Sequence, residues 1–258
     1  MHTCVRVYLF THIPISLFTN YNFPMSPLAL VTGAAHRLGK AFALTLARRG
    51  FDILLHYHQS SDAARQTQTE IESVGRRAIL CQADLTDPVQ IQSLISNLDP
   101  LKVLVNSAAF MPHGKIDSLT MADWDTSLDL NLRAPFLLAQ ECASKMTDGG
   151  LIVNITDVGA QKAWSRYPSY IVSKAALESL TKILARALAP KIRVNAIAPG
   201  LVLQSDTVSD AEWQRLINRI PLKRPAHSAE IASALEFLLE NEYITGQTIV
   251  VDGGYSLI

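Results

Sequence analysis

The first structural signal in the chain is Leu28-Ala-Leu-Val-Thr-Gly-Ala-Ala-His-Arg-Leu-Gly-Lys-Ala-Phe-Ala-Leu-Thr-Leu-Ala47. An apolar, strand-like run leads into a turn with two glycines, Gly33 and Gly39, and then directly into a segment with helical periodicity. Such a turn presents backbone N–H groups and the positive end of a helix dipole to a pyrophosphate. Because two glycines alone are a weak signal, the remaining evidence has to come from the rest of the chain.

Short apolar runs alternate with longer helix-period segments from Leu28 onward, which is typical of βα units. The pattern predicts one α/β domain over residues 25–258, a doubly wound (Rossmann-type) fold with a seven-stranded parallel sheet flanked by helices. Strands are predicted near residues 28–32, 51–57, 77–82, 101–106, 150–156, 191–197 and 247–251. Helices are predicted at 37–49, 61–74, 87–97, 121–146, 163–189 and 228–240. Residues 200–227 interrupt the alternation and form either a substrate lid or an ordinary connection.

The charge balance argues against a nucleic-acid partner. The chain has 258 residues, 23 basic and 23 acidic side chains, and therefore lacks the basic excess expected of a nucleic-acid-binding domain. Cys4, Cys81 and Cys142 form no Cys-x-x-Cys pair, which fits reduced thiols in a cytoplasmic protein.

The first 24 residues differ from the rest of the chain. The apolar run from Val5 to Phe18 is broken by Arg6, His12 and other polar residues, so it is a poor membrane span and a poor secretory signal. Because Met25 leads straight into the first strand, we expect residues 1–24 to be disordered or not translated, and we expect no membrane partner.

The second predicted strand indicates which dinucleotide the turn would hold. It ends in His56-Tyr-His-Gln-Ser60, without the carboxylate that would bind the ribose 2′-hydroxyl of NADH and repel a 2′-phosphate. With Arg37, His58 and Ser60 nearby, the sequence predicts NADPH. Arg37 would lie over the phosphates. His56 and His58 could instead be metal ligands, but no cysteine or carboxylate stands at a supporting spacing, so no metal is predicted.

Asp84 ends the third predicted strand, where an adenine would lie. Its carboxylate could accept a hydrogen bond from the adenine amino group, or it could cap the helix predicted at 87–97.

Three side chains indicate a reaction type. Tyr170 and Lys174 share a helix face, so the ammonium would lie beside the phenol, lower its pKa and make it a usable acid. Asp157 closes the strand predicted before that helix. The alternative for the pair is a surface lysine one turn from a half-buried tyrosine.

A series of motifs in a fixed order resembles the short-chain dehydrogenase/reductase family over residues 28–258. The matching stretches are Thr32-Gly33…Gly39, Ala83-Asp84-Leu85, Asn106-Ser-Ala-Ala109, Asn131, Tyr170-x-x-x-Lys174, Asn195-Ala-Ile-Ala-Pro199-Gly200 and Val251-Asp-Gly-Gly254. Within the family the sequence is similar to the pteridine reductases, including the dihydromonapterin/dihydrofolate reductase branch. That narrower likeness rests on Arg37-Leu38-Gly39, His56-Tyr-His-Gln-Ser60, Asp157 in place of the usual serine, and the ending Tyr243 to Leu257.

The resemblance implies a role for each matching residue. Tyr170 would donate a proton, Lys174 would bind the nicotinamide ribose and tune Tyr170, and Asn131 would hold a helix kink and a water that reaches Lys174. The residues implied to contact NADPH are Gly33, Arg37, Leu38, Gly39, His58, Ser60, Asp84, Asn106, Ser107, Ala108, Tyr170, Lys174, Pro199 and Gly200. The resemblance also implies a homodimer or homotetramer.

The sequence departs from the family pattern after the fourth strand. Relatives place an aromatic residue there that stacks on the pterin, whereas this chain has Phe110-Met111-Pro112, with Phe110 one position early. Either Phe110 stacks after a loop adjustment or Met111 replaces the aromatic face.

Asp157 selects among substrates on chemical grounds. A ketone needs a neutral hydroxyl at this position, because a carboxylate would repel the developing alkoxide, whereas a pterin offers N–H donors that a carboxylate can accept. The prediction is therefore NADPH-dependent reduction of pterins, dihydropterins or dihydrofolate to the tetrahydro form, with Asp157, Tyr170, Phe110 and Met111 at the substrate. The alternatives are a ketoreductase, with Asp157 as a capping or loop residue and Thr156 supplying the hydroxyl, and a redox-sensing NADPH-binding module without chemistry.

Overall fold

The computed structural model contains one parallel sheet of seven strands and describes residues 26–96, 98, 100–162, 164–205 and 208–258. The strands are β1 (Leu28–Val31), β2 (Asp52–Tyr57), β3 (Ala78–Gln82), β4 (Leu101–Asn106), β5 (Met146–Ile155), β6 (Ile192–Pro199) and β7 (Thr248–Val251). Their spatial order is β3-β2-β1-β4-β5-β6-β7. The predicted single α/β domain with a seven-stranded parallel sheet is confirmed. The prediction for residues 1–24 lies outside the described residues.

The helices cover both faces of the sheet. They are α1 (Arg37–Arg48), α2 (Ser61–Ser73), α3 (Pro88–Ser96), α4 (Met121–Leu128), α5 (Ala134–Lys145), α6 (Gly159–Lys162), α7 (Pro168–Leu188), α8 (Asp210–Arg219) and α9 (Ser228–Glu240), with a π-helical turn at Asp129–Arg133 between α4 and α5. None of the described helices is both long and apolar enough to cross a membrane.

Two predicted helices differ from the observed ones. The helix predicted at 121–146 is interrupted by the π-helical turn at Asp129–Arg133 and ends at Lys145, so that β5 begins at Met146 instead of near residue 150. The helix predicted from residue 163 begins only at Pro168. Proline lacks an N–H and is favoured in the first turn, so it marks the start of α7.

The core consists of two apolar layers, one on each face of the sheet. Side chains alternate between faces along a strand, so Val31 and Val105 pack in one layer while Leu30 and Leu104 pack in the other. Helices α1, α2 and α9 contribute to the first layer, and α3, α5 and α7 contribute to the second. This double cover explains why β1, near the middle of the sheet, is apolar and buried throughout, as buried parallel strands are.

The strand order places a crevice at the middle of the sheet. The chain runs from β1 outward through β2 and β3, and then returns to β4 on the other side of β1. Connections therefore leave the carboxyl ends of β1 and β4 in opposite directions, and the gap between them is where open α/β sheets bind ligands.

Candidate active site

A cleft of about 1360 Å³ lies at the carboxyl ends of the strands. Its wall includes the turn after β1, the ends of β2 to β6, the start of α7 and part of α8. The predicted site residues that line it are Gly33, Arg37, Leu38, Gly39, His58, Ser60, Asp84, Ser107, Ala108, Phe110, Met111, Asp157, Tyr170, Lys174, Pro199 and Gly200.

The turn after β1 is shaped by its two glycines. Gly33 has a φ of +63°, and a Cβ atom there would lie 2.9 Å from Ala108 Cα. A Cβ atom on Gly39 would lie 2.1 Å from the Gly33 carbonyl oxygen. Both positions therefore exclude any side chain, and this lets the start of α1 pack against its own turn, as a dinucleotide turn requires.

Thr32 joins this turn to the neighbouring strand. Its Oγ1 accepts hydrogen bonds from the N–H groups of Ser107, at 2.9 Å, and Ala108, at 3.0 Å. The segment after β4 is thereby held against the turn after β1, so that Ser107 and Ala108 form part of the cleft wall.

His56 has a structural function that the sequence did not indicate. The Gly33 N–H donates to His56 Nδ1 at 3.1 Å, and His56 Nε2 lies 3.1 Å from the Ala83 carbonyl oxygen. These partners require the neutral tautomer with its proton on Nε2. Burial lowers the pKa of His56 to about 4. The ring therefore supports the glycine turn. Among the described residues no group of three or more His, Cys, Asp or Glu side chains could hold a metal ion.

Arg37 occupies the position between the two glycines with a φ of +54°, which is uncommon outside glycine. Its guanidinium donates to the carbonyl oxygens of Leu203, at 3.1 Å, and Gln204, at 3.4 Å. The side chain lines the cleft, as predicted, but its hydrogen bonds connect the turn to the segment after β6.

His58, Ser60 and Asp84 lie together at one end of the cleft. His58 Nε2 is 3.9 Å from Asp84 Oδ2. Asp84 Oδ1 accepts from the N–H and the hydroxyl of Thr86. The first turn of α3 takes its side-chain acceptor from Asp87, which accepts from the Val89 N–H, so Asp84 does not cap that helix.

Asn106 is predicted to contact NADPH, but its side chain does not reach the cleft. Its side chain is 3% exposed, does not line the cleft, and donates from Nδ2 to Asn154 Oδ1 at 2.8 Å. Asn154 in turn donates to Thr181 at 2.9 Å. Because side chains alternate along a strand, Asn106 points into the layer between the sheet and α7, away from the cleft.

Asp157, Tyr170 and Lys174 come together beside the end of β5. The Tyr170 hydroxyl donates to Asp157 Oδ2 at 2.9 Å, and Lys174 Nζ lies 5.6 Å from the centre of the Tyr170 ring. Lys174 Nζ also donates to the Ile155 carbonyl oxygen at 2.7 Å. The i and i+4 spacing on α7 thus places the cation beside the phenol, as the sequence predicts.

Burial controls the protonation of this group. It raises the pKa of Asp157 to about 6 and lowers the pKa of Lys174 to about 8. The pKa of Tyr170 rises well above 10, because the ring is buried and because Asp157 is negatively charged and accepts its proton. The predicted lowering of the Tyr170 pKa by Lys174 is wrong for this arrangement, since burial and Asp157 outweigh the lysine.

Asp157 also has the local role that the alternative interpretation gave it. Its Oδ1 accepts from the Gly159 N–H at 2.7 Å at the start of α6, while Oδ2 remains with Tyr170. The two oxygens therefore serve a turn and the tyrosine at once. The Thr156 hydroxyl donates to the Ile197 carbonyl oxygen, so it is already engaged with β6.

Asn131 lies in the π-helical turn and fixes the segment after β4. Its Oδ1 accepts from the Phe110 N–H at 2.9 Å, and its Nδ2 donates to the Phe110 carbonyl oxygen at 2.8 Å and to Ser173 Oγ at 3.0 Å. Phe110 is half-buried and Met111 is 40% exposed. Both side chains line the cleft. Asn131 holds the backbone of Phe110 through both its N–H group and its carbonyl oxygen.

Sequence reasoning identified residues 200–227, after β6, as a candidate lid but assigned only Gly200 in it to the site. The structure places several side chains from there, and from the loops before α7 and after β7, on the cleft wall: Lys162, Trp164, Arg166, Tyr167, Glu212, Trp213, Arg219 and Tyr255. Arg166 pairs with Glu212 at 2.9 Å across two of these segments. The amphipathic spacing near Glu212 was the available signal, but it could not say which face meets the cleft.

The sequence profile of a family described as "Enoyl-(Acyl carrier protein) reductase" matches residues 33–256. A curated relative is the 3-oxoacyl-[acyl-carrier-protein] reductase FabG of Staphylococcus aureus, which is 33% identical over 241 residues, covering 89% of this chain and 98% of the relative.

Two solved structures share the fold over nearly the same part of this chain. The FolM alternative dihydrofolate reductase 1 of Brucella canis, complexed with NADP, has a TM-score of 0.84 and 37% identity, covering 90% of this chain and 94% of that one. The angucycline C-6 ketoreductase LanV, with bound NADP, has a TM-score of 0.86 and 31% identity, covering 90% and 96%.

Proposed function

Because the chain belongs to the short-chain dehydrogenase/reductase family, we propose that it is an NADPH-dependent reductase of pterins. The broader activity, an NADP-dependent oxidoreductase, follows from the family and from relatives crystallised with NADP. The reduction of a pterin, dihydropterin or dihydrofolate to its tetrahydro form is the specific proposal. The observation that carries it is the hydrogen bond of 2.9 Å from the Tyr170 hydroxyl to the Asp157 carboxylate.

The turn after β1 and the ends of β2 to β4 would hold the cofactor. Gly33 and Gly39 allow a pyrophosphate to approach the backbone closely. His58 and Ser60 line the cleft directly after β2, and that short stretch contains no carboxylate. That chemistry accepts the 2′-phosphate of NADPH. When bound, NADPH supplies the hydride that the reduction needs.

Tyr170 and Asp157 supply the proton. The Tyr170 hydroxyl hydrogen-bonds Asp157 Oδ2 at 2.9 Å, so a proton carried by Asp157, whose pKa is about 6, can pass to the phenol oxygen as the phenol protonates a substrate nitrogen, which leaves the negative charge on the Asp157 carboxylate. Lys174, whose pKa is about 8, is cationic at neutral pH and stabilises that charge from one helical turn away. The carboxylate that remains can accept from an N–H of the pterin edge.

The arrangement favours a pterin over a ketone. A ketone reductase needs a hydroxyl donor to the carbonyl oxygen, and the nearest candidate, Thr156, donates to the Ile197 carbonyl oxygen of β6 instead. A carboxylate at Asp157 would repel a developing alkoxide. The second candidate function, reduction of a carbonyl substrate, is favoured by the likeness to the FabG relative and to LanV.

The test measures loss of reduced-nicotinamide absorbance with dihydropterin, dihydrofolate, dihydromonapterin and an acetoacetyl thioester. We expect turnover of at least one pterin and loss of about a hundredfold in Asp157→Ser, because a positioned acid or base contributes about that much. If the thioester is the better substrate and Asp157→Ser keeps or improves its turnover, the chain is a carbonyl reductase. No turnover of any pterin by a protein that binds NADPH tightly would refute the pterin proposal.

A further inference from the structure

The substrate end of the cleft has a composition of its own. Besides Phe110 and Tyr170, four aromatic side chains line it, from the segment before α7, from α8 and from the end of the chain: Trp164, Tyr167, Trp213 and Tyr255. The Trp164 and Tyr255 rings lie 5.9 Å apart between centroids. Aromatic side chains on the wall of a cleft can pack against a flat or aryl-bearing ligand.

The charges at this end do not cancel. Arg166 is neutralised by Glu212, and Lys162 donates to the carbonyl oxygens of Tyr255 and Ile258. In the part of the chain that the structure describes, the guanidinium of the remaining cation, Arg219, has no ion-pair partner. The cleft wall therefore carries an exposed arginine whose guanidinium makes no ion pair with a described residue and can bind an anion.

Arg219 lies within electrostatic range of the reacting groups through Tyr255. Burial raises the pKa of Tyr255, the Arg219 guanidinium opposes that rise, and Asp157 adds to it. Asp157, Arg219 and Tyr255 line the same cleft, and Asp157 and Arg219 are both close enough to Tyr255 to act on its pKa. A substrate whose reacting ring meets Asp157 and Tyr170 would extend its tail along the aromatic wall toward Arg219.

We infer that Arg219 determines specificity by binding a carboxylate on the tail of the substrate. A guanidinium binds a carboxylate through two parallel hydrogen bonds. This inference rests on the proposed function and narrows it: the preferred pterins are folates, whose p-aminobenzoyl-glutamate tail joins an aryl group to carboxylates. Pterins with uncharged hydroxylated tails make no such contact. In dihydrofolate the tail leaves from the reacting C6 carbon, so it starts beside Asp157 and Tyr170.

Arg219 has a structural role that must be separated from this one. It lies in the last turn of α8, where a cation also interacts favourably with the helix dipole. That role would affect all substrates alike. Arg215 is the matched control, because it is an exposed arginine one turn earlier on the same helix and does not line the cleft.

The kinetic experiment compares dihydrofolate with dihydromonapterin in three variants. For Arg219→Gln we expect a KM for dihydrofolate raised about tenfold, an unchanged kcat, and a KM for dihydromonapterin changed by less than about twofold. Arg219→Lys should retain part of the preference, and Arg215→Gln should match the wild type. Equal effects of Arg219→Gln on both substrates, or no effect on either, would overturn the inference.

A binding experiment separates this inference from the proposed function. The probe is p-aminobenzoyl-glutamate alone, added to the NADP-saturated protein and followed by quenching of Trp164 and Trp213 fluorescence. We expect binding that weakens with salt, is lost in Arg219→Gln and persists in Arg215→Gln. Binding by a protein that reduces no pterin would support the Arg219 site while the pterin proposal fails. Pterin turnover without binding of the probe would support the pterin proposal and contradict the Arg219 site.

Discussion

The cofactor end and the catalytic end of the cleft are built by different means. At the cofactor end, shape comes from glycines without room for a Cβ atom, and burial keeps the His56 ring neutral. At the catalytic end, three ionisable side chains lie close together: the buried Tyr170 and Lys174 and the partly buried Asp157. An uncharged ring therefore supports the turn at the cofactor end, whereas three ionisable groups stand together at the catalytic end.

This difference implies opposite responses to pH. Burial disfavours the charged form of any group, so it lowers the pKa of a histidine and raises that of a carboxylic acid. Protonation of His56, whose pKa is about 4, lowers the free energy of unfolding as the pH falls. Deprotonation of Asp157, whose pKa is about 6, lowers it as the pH rises. A dinucleotide-binding turn has to keep one conformation at the working pH, whereas a proton-transfer site needs groups whose pKa values lie near that pH.

Tyr170→Phe should have the largest effect and should confine it to the catalytic end. Removing the proton donor is expected to lower kcat by about 10² to 10⁴-fold, because general acid catalysis contributes that much. The dissociation constant for NADPH, measured by titration of nicotinamide fluorescence, should change little, since the glycine turn is untouched. Equal turnover in this variant would remove Tyr170 from the mechanism.

His56→Gln should remove a pH dependence from the cofactor end. The folded-state pKa of His56 is lowered from 6.5 to about 4. Its contribution to stability is therefore present above pH 6.5 and lost as the pH falls through about 4. Because one pH unit is worth about 1.4 kcal/mol, the loss is on the order of 3 kcal/mol. Urea unfolding of both proteins over this range should show the gap between them narrowing at low pH, and parallel curves would contradict it.

Asp157→Asn should show the opposite sign. The folded-state pKa of Asp157 is raised from 3.8 to about 6, so the favourable contribution is present below pH 3.8 and lost as the pH rises through about 6. The variant should therefore gain stability relative to the wild type by about 3 kcal/mol between those pH values, while it loses activity. Asp157→Ser removes the same charge, so a similar gain in both variants would assign the effect to charge rather than to shape.

Gly39→Ala should give the smallest of these effects and should confine it to the cofactor end. Its Cβ atom would lie 2.1 Å from the Gly33 carbonyl oxygen, so the turn must move, at a cost of about 1–3 kcal/mol in stability and in NADPH binding. Gly50→Ala is the control, because Gly50 has a φ of +94° but no atom within 4 Å of its Cβ position. It should lose stability by about 1 kcal/mol and keep its NADPH affinity.

Local patterns predicted most of the fold because they act over short distances along the chain. The apolar runs and the glycine turn at Gly33 and Gly39 placed the strands and the cleft. The break at Pro168 could also have been read from the sequence, since proline favours the first turn of a helix. The π-helical turn could not, because Asn131 there binds the backbone of Phe110, which is distant in sequence.

Patterns along the chain were enough to predict the fold class, the cofactor turn and the Tyr170, Lys174 and Asp157 group, because spacing along one helix and order along the strands carry that information. The direction of the Tyr170 pKa, the neutral state of His56 and the place of Arg219 on the cleft wall became visible only in the folded chain. Protonation and exposure depend on what surrounds a group in space, and those neighbours come from segments that the sequence does not place side by side.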